Sequence, residues 1–130
     1  MRFSAAVAIL CAMYSHAVLD HFKNPRNAGE LPGATATAEV SNPVCGDVLR
    51  LAVRVEQGRF AEVQFLCRGC TTAIACGSFL TERLAGRELG ECRGITAEEI
   101  SEALGGLPGA TFHAAQLAAE ALAALFAQMR

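Results

Sequence analysis

The sequence has no tryptophan, no basic run and no long apolar stretch, and the last two absences each remove a class of function. Charges interrupt every apolar segment before it reaches the roughly 20 residues needed to cross a bilayer, so no membrane span is expected. Eleven Lys and Arg against 13 Asp and Glu give a net charge of −2, with no Lys/Arg cluster to hold phosphates; this argues against nucleic acid as a partner. So small a charge, with 52% hydrophobic residues, excludes a disordered chain. The sequence also lacks a G-x-S-x-G elbow, a P-loop, a dinucleotide fingerprint, internal repeats and low-complexity tracts.

What remains is a chain of 130 residues, enough for one domain, with six cysteines. Arg2 and the apolar run Phe3 to Met13 fall short of a secretory signal, because the basic region is one Arg and the small residues Ala6, Ala8 and Ala12 suit any Ala-rich segment. Met13 offers a second start. Residues 1–12 are therefore read as an N-terminal extension or a misassigned beginning, and 13–130 as a single domain. A domain of this length and hydrophobicity does not need disulfides. A cytoplasmic setting follows, in which thiols serve as core residues, metal ligands or nucleophiles.

The chain reads as helix, strands, then helices. Tyr14 to Lys23 forms a helix, with Val18, Leu19 and Phe22 on its apolar side and Asn24-Pro25 at its end. Period-two alternation marks strands over Thr35–Ser41, Leu49–Val55 and Ala61–Phe65, with Gln57-Gly58 turning between the last two. A helix capped by Thr71 or Thr72 follows, with Ala73, Cys76, Leu80 and Leu84 on one stripe and Gly86 as its stop. Thr96 and Glu99 make a capping box for a short helix to Leu104. An Ala-rich helix from about Thr111 buries Leu117, Ala121 and Leu125. The fold class is α+β, a small three-stranded antiparallel sheet with helices packed on one face and the other face wet.

Three element ends carry side chains that bind metals. Cys45 lies in a strand-connecting turn between Pro43 and Gly46, with Asp47 two residues on; Cys70 immediately precedes a helix; His113 sits in the first turn of the last helix. Two thiolates, an imidazole and a carboxylate suit a four-coordinate Zn²⁺ site or part of the ligation of an iron–sulfur cluster. The helix start favours thiolate at Cys70. The competing reading is that each Cys is a small buried hydrophobe. Cys67 and Cys70 form a C-x₂-C pair, open to three readings: core packing of Cys67, which shares the parity of Val63 and Phe65, a local disulfide, or a redox or zinc motif. Cys76 reads as core, Cys92 and Cys11 have no evident partner, and His16 and His21 read as surface or capping residues, with His21 able to reach the site only if its helix packs nearby. A Cys–His nucleophile pair lacks a third group to orient the imidazole.

These residues also carry a resemblance. The runs His21 to Gly29, Asn42-Pro43-Val44-Cys45-Gly46-Asp47, Gly69-Cys70 with Ala73-Ile74-Ala75 and Leu80-Thr81-Glu82, and Leu107-Pro108 with His113 and Leu117-Ala118 resemble the U-type iron–sulfur assembly scaffolds, the IscU, SufU and NifU N-terminal type. The resemblance implies a carrier rather than an enzyme. It would take sulfur from a cysteine desulfurase and iron, hold a transient [2Fe–2S] cluster or Zn²⁺, and pass cluster to acceptor apo-proteins as a monomer or weak homodimer. It also implies that Cys45, Asp47, Cys70 and His113 are the ligands. Scaffolds of this type carry a third cysteine after the histidine, where this chain has Ala114. Three readings follow: the four residues suffice, Cys67 substitutes as an auxiliary ligand, or the domain is a zinc-stabilised adapter. A persulfide relay through Cys70 is a further alternative. The long insertion of the SufU branch and the Pro-Pro-Val-Lys continuation of the chaperone-dependent branch are both absent.

Overall fold

The computed structural model describes residues 14–44 and 46–129, so the expectations for residues 1–12, Cys11 and Cys45 lie outside the described residues. The elements are α1 (His16–Lys23), β1 (Ala36–Ser41), β2 (Val48–Glu56), β3 (Arg59–Arg68), α2 (Thr71–Leu84), α3 (Leu89–Cys92), α4 (Ala97–Ala103) and α5 (Phe112–Gln128).

The three strands form an antiparallel meander in the order β1-β2-β3. Gln57 and Gly58 both take positive φ (52° and 74°), the turn whose twist matches a tight hairpin, and they set the β2–β3 register. Alternation then decides the faces. Ala36, Ala38, Leu49, Leu51, Val53, Phe60, Val63 and Phe65 point inward and are buried, while Thr37, Glu39, Arg50 and Glu62 point to solvent. α5 packs on β1 and β2, α2 packs on β3, and α4 packs against α5. The outer face is not wholly wet, since Ala52 is 6% exposed in a hollow lined by Gly29, Glu30, Leu31 and Pro32. Backbone bonds to Phe65, from Gly29 N–H and to Asn27 O, hold this loop against β3.

The predicted helices form, with three differences. Cys70, and neither threonine, is the N-cap of α2, and the buried Thr72 is used for packing instead. Phe22 is 38% exposed, whereas His21 is 7% exposed and faces the core side of α1. His21 reads as polar in sequence, yet it packs edge-on to Phe79, and its Nδ1 lies 2.7 Å from Ser78 Oγ. Cys92 is fully buried on α3, a short helix with no signal in the sequence. Cys76 is fully buried as expected, and the Thr96 side chain caps α4 by accepting from Glu99 N–H. No described helix is long and apolar enough to cross a membrane.

Candidate metal centre

At one end of the sheet, three elements finish or begin together. Asp47 precedes β2, Cys70 caps α2 and His113 is the second residue of α5. Asp47 arrives there through a tight loop in which Asn42 Oδ1 accepts from Val44 N–H and Gly46, at φ 76°, donates its N–H to Asn42 O. Asn42 N–H then donates to Asp47 O and closes the turn.

The carboxylate is the centre of the arrangement. The Cys70 thiol donates to Asp47 Oδ2 at 3.6 Å, and His113 Nε2 lies 3.7 Å from the same oxygen. All three donor atoms fall within 4.8 Å of one another. A tetrahedral ion with bonds of about 2.0–2.3 Å separates its ligands by about 3.3–3.8 Å, so both short separations suit one cation with room for a further ligand. The donor chemistry fits as well, since thiolate, imidazole and carboxylate are all ligands of Zn²⁺. Among the described residues, Cys70 and His113 do not form a nucleophile relay, because the carboxylate rather than the imidazole lies beside the thiol.

The side of Asp47 away from His113 is walled by backbone. A Cβ on Gly69 would stand 2.9 Å from both Cγ and Oδ1 of Asp47, so only glycine leaves the carboxyl its place. Asp47 is 5% exposed there, whereas the His113 side chain keeps 30% of its surface. Gly69 stands out in the sequence only as part of the Gly69-Cys70 run, with no role of its own. Its signal was available in the register, which places Arg68 opposite Val48 and so brings Gly69 towards Asp47.

Burial favours the protonated form of both thiols beside this group. Cys70 is open to solvent as a residue, yet cover over its sulfur pushes the thiol above its ordinary range; the Ala73 and Thr72 amides pull the other way without forming a cap, and Asp47 adds to the rise. The helix-start amides act in the expected direction, and burial outweighs them. Cys67 is pushed up to about 12, first by burial and then by the charges of Asp47 and Cys70. It is half-buried, lies outside the three-donor group and is free, as is Cys70, so the local disulfide is not formed. His21 also stands apart, bonded to Ser78 on the second half of α2.

The α+β architecture, a three-stranded antiparallel sheet with helices, is shared with NifU-like proteins. This chain belongs to the NifU-like N-terminal domain family, whose model matches residues 13–129. It is 44% identical over 110 residues to the iron–sulfur cluster assembly scaffold protein IscU 1 of Archaeoglobus fulgidus, covering 85% of this chain and 72% of that one. It is 42% identical over 115 residues to the scaffold protein IscU of Azotobacter vinelandii, covering 85% and 89%. The crystal structure of the N-terminal part of a nitrogen-fixing NifU-like protein from Brucella abortus superposes with a TM-score of 0.73 over 93% of this chain and 96% of that one; at 17% identity it speaks for the fold.

Proposed function

We propose that this chain is an iron–sulfur cluster assembly scaffold that holds its cargo at Asp47, Cys70, His113 and Cys45. The observation that carries the reading is the meeting of the Asp47, Cys70 and His113 donor atoms within 4.8 Å, in a chain whose family and relatives are scaffolds. The donor geometry alone suits a zinc-stabilised adapter as well; the family and the relatives, which are scaffolds, favour the scaffold reading over the adapter and the relay.

Each residue has a distinct part. Cys70 supplies a soft thiolate at a helix start, where ligation replaces the S–H proton; its proton leaves to solvent as the metal–sulfur bond forms. His113 supplies a borderline imidazole from the facing helix, and Cys45 a second thiolate from the loop. Asp47 is a hard ligand among softer ones, so it holds iron–sulfide cargo less tightly than a thiolate would and leaves it able to depart. Zn²⁺ occupies the same donors when cluster is absent. The cluster is of the [2Fe–2S] type, sulfur comes from a cysteine desulfurase, and acceptor apo-proteins take the product. The protein works in the cytoplasm as a monomer or weak homodimer, residues 13–130 forming the working domain, and catalyses no reaction of its own.

The test is anaerobic incubation with ferrous iron, cysteine and a cysteine desulfurase. The expected result is a visible charge-transfer spectrum that Cys70→Ser abolishes and acceptor apo-protein removes. An unchanged spectrum in Cys70→Ser overturns the reading.

A further inference from the structure

The three-donor group is suited to one ion, and a two-iron cluster asks for more. Both short separations in the group end on the same carboxylate oxygen, Asp47 Oδ2, so the group closes around a single point. A [2Fe–2S] cluster is held by four protein ligands, thiolates above all, divided between two irons and therefore spread more widely. Position 114 offers none, because Ala114 is a buried methyl group on α5. The proposed set of Cys45, Asp47, Cys70 and His113 holds only two thiolates, so a third soft donor, to stand in for the hard carboxylate on a cluster, has to come from elsewhere.

The β2–β3 ladder supplies one. Leu49 pairs with Cys67 and Val48 with Arg68, so the next step sets Asp47 towards Gly69, in agreement with the 2.9 Å at which a Cβ on Gly69 would stand from the Asp47 carboxyl. Leu49 and Phe65 face inward, and by the period of two so do Asp47 and Cys67. Cys67 is thus the diagonal neighbour of Asp47 on one face of the pair, a relation that spans about 7–8 Å. It also lies three residues before Cys70, packs against the core and carries a free thiol. The charges of Asp47 and Cys70 both reach it. Cys76 faces the same interior but is fully enclosed.

We infer that Cys67 is a cluster-specific ligand, too remote for an ion held by Asp47, Cys70 and His113 but placed to bind the second iron of a two-iron cluster in the role that residue 114 leaves vacant. Binding forms an iron–sulfur bond, releases the thiol proton to solvent and changes no oxidation state. The inference rests on the scaffold reading above and makes the chain selective, because the cluster then uses one thiol, Cys67, that zinc does not.

The experiment compares zinc with iron and sulfide on the full chain. Cys67→Ala and Cys67→Ser are titrated with Zn²⁺ against a chromogenic chelator and, separately, loaded anaerobically with ferrous iron and sulfide. The expected result is zinc affinity within about threefold of the unaltered chain and cluster retention reduced about tenfold or more, the scale of losing a supporting metal contact. Full iron and sulfide content in Cys67→Ala overturns the inference. Loss of cluster in Cys67→Ala with its retention in Cys70→Ser would instead break the scaffold reading. If both variants fail to fold, alkylation of the unaltered chain decides: Cys67 is protected when iron and sulfide are bound and reactive when zinc is bound. Equal reactivity in the two states also overturns it.

Discussion

Replacing Gly69 by alanine is the sharpest probe of how the site is built, because it adds one methyl group and removes no donor. The new Cβ stands 2.9 Å from Asp47 Cγ and Oδ1 and 3.2 Å from Ala73 Cβ. Carbon atoms rest at about 3.5 Å or more, so the carboxyl has to withdraw by about 0.6 Å. Asp47 is buried, and its other oxygen, Oδ2, is the one that Cys70 and His113 approach at 3.6 and 3.7 Å, separations that already suit an ion. A crowded or rotated carboxylate then serves as a poorer ligand, with an expected loss of about 10–100-fold in Zn²⁺ or Co²⁺ affinity. The cost to the fold is about 1–3 kcal/mol, the range for overpacking. Chelator competition gives the affinity, Co²⁺ absorption reports the geometry and urea unfolding gives the stability. Asp47→Ala is made in parallel, together with the double variant. With no carboxylate to displace, Gly69→Ala should add little to Asp47→Ala, and the two losses should be strongly non-additive. Unaltered affinity in Gly69→Ala, or additive losses in the double variant, would refute the reasoning.

Three further outcomes follow from other parts of the fold. Burial lowers the pKa of His21, with Arg26 adding to the effect and Glu82 opposing it, so the unfolded chain binds the proton more readily. Stability is therefore full above the unfolded value of 6.5 and falls as pH drops through the lower folded value; His21→Asn should flatten that part of the urea-stability profile, and an unchanged slope would assign it elsewhere. Gly77→Ala would bring a Cβ to 2.7 Å from Phe65 Cδ2 and 3.1 Å from Leu49 Cδ1, and should cost about 1–3 kcal/mol in urea unfolding; a neutral result would show that α2 shifts freely over β3. Thr96→Ala removes the acceptor for Glu99 N–H and should cost about 1 kcal/mol with metal uptake unaffected, which thermal melting and zinc titration check together.

His21 shows where local sequence cues stop. It forms part of an amino-terminal clamp on α2: Ser78 Oγ accepts from Arg26 N–H at 2.9 Å and lies 2.7 Å from His21 Nδ1, while His21 Nε2 lies 3.7 Å from Glu82. Arg26 also pairs with Asp20 and Glu82, and Asn27 Nδ2 donates to Thr81 Oγ1. Nothing in the helical period of α1 distinguishes a buried imidazole from an exposed one. Its place depends on hydroxyls more than fifty residues away, and only the resemblance to the scaffold family set that run apart.

The strands were legible because alternation writes their faces directly into the sequence, and the metal donors because Asp47, Cys70 and His113 fall at element ends, where side chains are free to converge. Convergence itself depends on space, and space is set by residues that contribute no donor. Gly69 allows the carboxyl to lie against the backbone, and Gly77 allows α2 to descend on Phe65, so the depth of the helix over the sheet and the placing of the ligand are governed by two missing methyl groups on consecutive stretches of chain. A pattern of polar and apolar residues carries no entry for such vacancies. The register does, once β2 and β3 are paired: Asp47 then has to meet position 69, and a buried carboxyl beside an incoming helix leaves room only for glycine. The same step places Cys67 on the diagonal. Sequence alone could nominate that cysteine and not orient it, since parity without a partner strand fixes a face but no neighbour.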